Sequence, residues 1–169
     1  MKEEYNVRLM QLFDLPQVHA IEELSFPSPW SRESLTNELT RNPVARYIVI
    51  ENQGEILAYA GIWLILEEGH ITNVAVHPKY RRQGLGRAVL ERLLRLARCY
   101  GIQATTLEVR PSNLVAINLY LSFGFEITGE RPGYYTDTNE DALLLWKRDI
   151  QKIEVSEKEC ISVYGWLPE

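Results

Sequence analysis

The sequence predicts a single mixed α/β domain: a sheet of parallel and antiparallel strands with helices on its faces. The chain reads as strand, two helices, three strands, helix, strand, helix, two strands. The strand–turn–helix–strand run in its middle requires a right-handed crossover between locally parallel strands. Its 169 residues are one domain's worth, enough for a real core without disulfides or a structural metal.

Tyr5, Val7 and Leu9 alternate with polar residues, the period of a half-buried strand. Asp14 is a plausible N-cap with Pro16 in the first turn, and Val18, Ile21 and Leu24 follow at helical spacing. Pro27 and Pro29 end that helix, and Ser31 can cap a second one carrying Leu35 and Leu39. Arg46 to Glu51 and Ile56 to Leu66 read as strands around an Asn52-Gln53-Gly54-Glu55 turn, and Ile71 to Val76 is the next strand. The clearest helix follows Gly86: Leu85, Val89, Leu93 and Ala97 mark its inner face and Gly101 is placed to end it. Thr105 to Val109 is a strand. Pro111-Ser112-Asn113 opens a helix that stops at Gly124, and Ile127 onward with Ala142 to Trp146 completes the sheet. Residues 1–150 form the domain, and 151–169 are an extension whose Tyr164 and Trp166 are expected to dock near the acceptor groove.

Composition narrows the function. The chain is 46% hydrophobic and 24% charged, which excludes a disordered or collagen-like protein. The 18 Lys and Arg against 23 Asp and Glu leave a net charge of −5, which argues against sequence-independent nucleic-acid binding. Cys99 and Cys160 make no disulfide framework, and Cys99 reads as a small core hydrophobe. His19, His70 and His77 match no zinc spacing with them, so no metal is expected, and neither His70 nor His77 is placed as a nucleophile. The start leads into no apolar signal stretch, and the longest apolar run, Ile56 to Leu66, is too short to span a bilayer as a helix. The expected location is the cytoplasm, away from membranes.

The segment from Val74 to Arg87 holds most of the chemistry. A strand ends at Val76, a basic loop with Arg81, Arg82, Gln83, Gly84, Leu85 and Gly86 follows, and a long helix begins near Gly84. The first turn of a helix presents unpaired N–H groups and the positive end of the macrodipole, and glycine lets an anion approach closely. This is a pyrophosphate cradle, or else a glycine-rich helix start that binds nothing. There is no Gly-Lys-Ser/Thr of a Walker loop, and Gly84-x-Gly86 lacks the third glycine of a dinucleotide fingerprint.

Arg81-x-x-Gly84-x-Gly86 after a strand resembles the acetyl-CoA signature of the GNAT family of N-acetyltransferases. Asn113-x-x-Ala116-x-x-Leu119-Tyr120-x-x-x-Gly124-Phe125 and Leu107-Glu108-Val109-Arg110 strengthen the resemblance. The segment from Glu23 to Trp30, Tyr134-Tyr135 and Glu140-Asp141-Ala142 are similar to members that acetylate the N-terminal alanine of a ribosomal protein. The resemblance covers roughly residues 5–150. It implies a mostly antiparallel sheet with one splayed parallel pair. It also implies acetyl-CoA as cosubstrate, with Val74, Ala75 and Val76 along the pantetheine arm and the Val76 N–H near the thioester oxygen. Arg81 through Arg87 would hold the pyrophosphate, Asn113 would touch the cofactor, Glu108 would be the general base and Tyr120 the general acid.

The residues themselves are compatible with that chemistry. Thr106, Glu108 and Arg110 share a strand face opposite Leu107 and Val109, so Glu108 is either a cleft base or a solvated carboxylate paired with Arg110. Tyr120, at helical spacing with Ile117 and Leu121, is a core tyrosine or a proton donor. Phe26, Trp30, Tyr134 and Tyr135 are core residues or the walls of a peptide groove, and Asp141 or Glu140 could meet a basic second residue of the acceptor. No serine or cysteine is placed for an acyl-enzyme, which favours direct attack in a ternary complex. The expected function is acetylation of a protein N-terminal α-amine, that of a ribosomal protein, by a monomer or weak dimer. The alternatives are broader protein N-terminal specificity, a small-amine acceptor, or a non-catalytic acyl-CoA-binding module.

Overall fold

The computed structural model describes residues 4–166. Its elements run β1 (Asn6–Leu9), α1 (Leu15–Ser25), α2 (Arg32–Thr40), β2 (Ala45–Asn52), β3 (Glu55–Ile65), β4 (Glu68–Val76), α3 (Leu85–Cys99), β5 (Ala104–Val109), α4 (Leu114–Ser122), β6 (Glu126–Tyr135), β7 (Glu140–Lys147) and α5 (Glu157–Ser162). The seven strands form one sheet in the order β1-β2-β3-β4-β5-β7-β6. Every neighbouring pair is antiparallel except β4 and β5. This is the mixed, mostly antiparallel sheet expected, with its one parallel pair where the crossover helix α3 returns the chain.

The middle of the sheet is buried on both faces. On one, Val89, Leu90, Leu93, Leu94 and Ala97 of α3 pack with Ile117 and Tyr120 of α4 against Ile48, Ile50, Ile62 and Leu107. On the other, Val18 and Ile21 of α1 and Leu35 of α2 pack against Tyr47, Val49 and Tyr59. Ser31 caps α2, its Oγ accepting from the Ser34 N–H at 3.0 Å. Asp14 does not cap α1 with its side chain. Its carboxylate instead accepts two bonds from Arg8, at 2.7 and 2.8 Å, and one from the Gln11 N–H at 2.8 Å. A paired guanidinium is the stronger claim on a nearly buried carboxylate.

Two expectations about the C-terminal extension are corrected. Cys99 and Cys160 are joined in a disulfide, with Cα atoms 5.4 Å apart, so Cys99 is not a free small hydrophobe. The pairing was hidden because a 61-residue separation becomes a contact only once α5 lies on the C-terminal half of α3. Tyr164 and Trp166 do not dock near the acceptor groove. Tyr164 is fully buried in the α3-side core, its carbonyl accepts from the Tyr100 hydroxyl at 3.2 Å, and Gly165 abuts Leu9 of β1. Glu159 of α5 clamps Arg95 of α3 through two bonds of 2.6 and 2.5 Å. The extension is thus a strap across α3, away from the cleft described next.

Candidate active site

The parallel pair sets the site. β4 and β5 are bonded only over Glu68↔Ala104, Gly69↔Thr105 and His70↔Thr106, and beyond His70 they separate. β4 also carries one extra residue: Gly61 pairs with Asn73 and Ile62 with Ile71, leaving Thr72 unopposed. A bulge of this kind bends its strand and re-aims side chains. The splay opens a cleft of about 460 Å³ lined by β4 from His70 to Val74, by β5 from Leu107 to Val109 with Arg110 just beyond it, and by Ala116 and Tyr120 of α4 with its cap Asn113.

The peptide groups facing that gap follow from register. The His77 N–H donates to the Leu57 carbonyl at 2.9 Å, so the 57/77 pair is hydrogen-bonded across β3 and β4. Antiparallel pairs alternate, so Ala75 is the next β4 residue bonded to β3, opposite Tyr59. Val74 and Val76 therefore turn their peptide groups away from β3, toward the splay. Ala75 sends its side chain into the α1-side core.

The chain then turns into α3 through residues 81–84. Arg82 has φ +63° and Gly84 φ +81°. Left-handed residues in such a turn build concave rows of N–H groups that suit anions. Gly84 provides no side-chain cap for the first-turn N–H groups of Leu85, Gly86 and Arg87, and a Cβ at Gly84 would meet nothing within 4 Å. These features fit a pyrophosphate. Two of the arginines are already engaged by the fold. Arg81 donates to the Val76 carbonyl at 3.0 Å and to the Ser25 hydroxyl at 3.1 Å. Arg87 donates to the Ser122 hydroxyl at 2.8 Å and lies over the Phe123 ring. Asn113 caps α4, its Oδ1 accepting from the Ala116 N–H at 3.2 Å, with its carboxamide at the cleft.

At the centre of the cleft, Glu108 Oε2 and His70 Nε2 are 2.6 Å apart, and Arg131 Nε is 3.3 Å from the other carboxylate oxygen. The Glu108 side chain is only 6% exposed. Burial pushes its carboxyl up, but the His70 hydrogen bond and the charges of His70 and Arg131 outweigh that and hold it below the ordinary glutamate range. Glu108 does not pair with Arg110, whose guanidinium goes to Asp137 at 2.9 and 2.8 Å and stacks on Tyr135. Tyr120 reaches the same cleft from α4, and burial, with a smaller contribution from Tyr135, pushes its phenol well above the ordinary tyrosine range.

Phe26, Trp30, Tyr134 and Tyr135 all line the cleft. Asp141 does not. It sits outside, and its carboxylate accepts from the Gly133 N–H at 2.7 Å, tying β7 to the irregular stretch of β6. Glu140 likewise serves the Ser112 N–H and the Thr138 hydroxyl. Of the acids in and around the β6–β7 turn, Asp137 is the one that lines the cleft; it also accepts from the Ser28 hydroxyl at 2.8 Å and so links the turn before α2 to the β6–β7 turn.

The sequence model of the acetyltransferase (GNAT) family matches residues 15–125, well over half of the chain. The chain belongs to the GNAT family of acetyltransferases. A relative from Bacillus subtilis (strain 168), named for the alanine N-acetylation of ribosomal protein bS18, is 43% identical over 146 residues, covering 86% of this chain and 97% of that one. The ribosomal protein bS18-alanine N-acetyltransferase of Escherichia coli (strain K12) is 38% identical, covering 80% and 92%. The crystal structure of the Escherichia coli ribosomal-protein-S18-alanine N-acetyltransferase superimposes with a TM-score of 0.79 at 33% identity, covering 91% of this chain and 97% of that one.

Three residues in or behind this cleft were given no role from the sequence. His70 stands one residue before the strand read from Ile71, and only the His70↔Thr106 register brings it to Glu108. Arg131 reaches Glu108 across β7, where Arg131 pairs with Ala142 and Glu108 with Leu144. Glu22 is 1% exposed, accepts from the Trp30 N–H at 3.1 Å and from the Tyr59 hydroxyl, and is pushed up by burial. Its signal was present: Glu22 lies four residues after Val18, on the buried stripe of a helix.

Proposed function

We propose that this protein transfers the acetyl group of acetyl-CoA to the N-terminal α-amine of a protein, the terminal alanine of a small-subunit ribosomal protein, by direct attack in a ternary complex. The observation that carries the reading is the His70–Glu108 pair set beside β4 peptide groups that face away from β3, in a cleft walled by aromatic residues. The name and 43% identity of the Bacillus relative support the acceptor.

An α-amine has a pKa of about 7.7–8.0, so roughly a tenth of it is neutral at pH 7, against far less for a lysine near 10.4. The base therefore has a modest task. With Nε2–H donated to the Glu108 carboxylate, His70 keeps its Nδ1 lone pair to take the amine proton, directly or through water. The carboxylate then stabilises the imidazolium that forms. The N–H of Val76 faces the splay, where it can donate to the developing oxyanion. The Tyr120 phenol is held protonated and can deliver its proton to a departing thiolate, although its raised pKa makes it a weak acid. The C–N bond forms, the C–S bond breaks, the amine proton goes to the pair and the phenol proton to sulfur.

Acetyl-CoA supplies the activated acetyl thioester. The first-turn N–H groups of α3, with Arg82, Gln83, Gly84, Leu85 and Gly86, are assigned to its pyrophosphate, and β4 from Val74 to Val76 and Asn113 to its arm. Arg81 and Arg87 shape that loop through Val76, Ser25 and Ser122 as well as adding charge. Residues 1–150 constitute the catalytic domain and 151–169 a stabilising extension. The proposed site draws on residues of one chain, which suits a monomer or weak dimer, and a ribosomal-protein acceptor implies the cytoplasm. Among the described residues no helix is long and apolar enough to cross a membrane.

Initial-rate kinetics test this with an Ala-Arg peptide, a Met-initiated peptide, spermidine, and an N-blocked peptide with an internal lysine. The Ala-Arg peptide is expected to have the highest kcat/KM by at least tenfold, with intersecting double-reciprocal lines. Parallel lines contradict the ternary complex, and a preference for spermidine or lysine contradicts the α-amine acceptor.

A further inference from the structure

Arg131 is the charged group on Glu108 that the proposed reaction leaves without a task. It lies on β6, its side chain is 55% exposed, and it does not line the cleft. Its Nε nevertheless comes within 3.3 Å of Glu108 Oε1, while Oε2 is taken by His70 at 2.6 Å. The carboxylate is thus held from both ends by groups on two different strands. β6 is irregular between Arg131 and Tyr135, and the Gly133 N–H there is held by Asp141, so this segment is shaped by built contacts.

We infer that Arg131 is a positioning residue: bound to the far oxygen of Glu108, it turns the carboxylate toward His70 and sets the pH at which the pair can accept a proton. This rests on the His70–Glu108 pair being the base. An unopposed Glu108 would hold a proton on His70 more tightly, leaving less of the ring free to take one from the amine. A cation on the opposite oxygen withdraws part of that negative charge, so the pair stays unprotonated at lower pH. The other groups facing Glu108 cannot substitute. Tyr134 and Tyr135 carry no charge at neutral pH, Arg110 is committed to Asp137, and Glu22 is anionic or neutral. β7 places the apolar Leu144 opposite Glu108.

The sign is fixed. Removing a nearby cation makes both Glu108 and His70 hold protons more strongly, so the acidic limb of activity moves to higher pH. For a half-exposed guanidinium the shift is about half a pH unit, well below the low-dielectric limit. The test is the pH profile of kcat/KM for an Ala-Arg peptide with Arg131→Gln and Arg131→Lys, with melting temperatures to establish folding. The Gln variant is expected to keep its fold, lose up to about threefold in activity at pH 6.5 and recover most of it by pH 8.5. The Lys variant is expected to restore at least half of the shift. A Gln variant whose limb superimposes on the parent's overturns the inference, whether or not its rate is uniformly lower. So does failure of Lys to restore the limb. Failure of the pair itself reads differently: His70→Asn and Glu108→Gln would then leave the parent rate intact.

Discussion

His70 Nε2 and Glu108 Oε2 are 2.6 Å apart at the point where β4 and β5 cease to be hydrogen-bonded. The last paired residues, His70 and Thr106, put the imidazole at the apex of the splay, and Glu108, two residues further along β5, meets it there. The same divergence that turns the Val76 N–H into the gap thus brings together the two residues proposed as the base.

If the pair acts as one unit, its members are not additive. Glu108→Gln and His70→Asn are each expected to lower kcat by about 10²–10³ fold, and the double variant by little more than the worse single one. Steady-state kinetics on the three proteins check this. Multiplying losses would mean two independent roles.

Tyr120→Phe keeps the ring that packs edge-on against Phe125, with centroids 5.7 Å apart. It is expected to leave the melting temperature nearly unchanged and to lower kcat by about tenfold, less than Glu108→Gln, because a thiolate is already a fair leaving group. The parent is expected to show no alkaline limb below pH 10, since the phenol is held above its ordinary range. A limb near pH 9 in the parent that vanishes in Tyr120→Phe would contradict this.

Asp137 joins Arg110 to Ser28 over the mouth of the cleft, and the guanidinium and the Ser28 hydroxyl hold its carboxyl well below the usual range. A carboxylate so lowered adds stability above its unfolded pKa, and that contribution fades as pH falls toward the folded value. Asp137→Asn is therefore expected to lower stability at pH 7 and to match the parent at strongly acid pH. It is also expected to raise the peptide KM severalfold with the acetyl-CoA KM unchanged. Thermal melts across pH and the two Michaelis constants check both parts.

Glu22 receives the Trp30 N–H, the Tyr59 hydroxyl and, at 3.4 Å, the Asn73 amide. Glutamine would aim an N–H₂ at one of these donors, so Glu22→Gln is expected to cost about 1–3 kcal/mol in denaturant unfolding despite removing a buried charge. Neutral or increased stability would show that desolvation of the charge dominates.

The Cys99–Cys160 bond closes a 61-residue loop, for which chain entropy sets an upper figure of about 4 kcal/mol. Reduction, or Cys160→Ser, is expected to lower the melting temperature by several degrees while leaving kcat/KM unchanged, because the extension lies away from the cleft. A parallel loss of activity would tie the strap to the site.

What could be read from the sequence was what is local. Alternation around Leu107 and Val109 puts Glu108 on the polar face, the glycines near Gly84 mark the start of α3, and Asn113 marks that of α4. What could not be read depends on register and reach. His70 meets Glu108 through a three-pair parallel ladder, Arg131 meets it across an intervening strand, and Cys160 meets Cys99 only after α5 has packed on α3. Arg81 and Asp141 look like ligand-binding residues by type, but their hydrogen bonds go to Val76, Ser25 and Gly133.

The central claim is that the cleft acetylates a chain's terminal α-amine rather than a side-chain amine. The most direct measurement uses one peptide with a free N-terminal alanine and an internal lysine. It is incubated with the protein and acetyl-CoA, and the acetyl group is located by tandem mass spectrometry. The account predicts acetyl on the N-terminal fragments alone, abolished to background by Glu108→Gln. Acetyl on the lysine, or an N-terminal product formed equally well by Glu108→Gln, would contradict it.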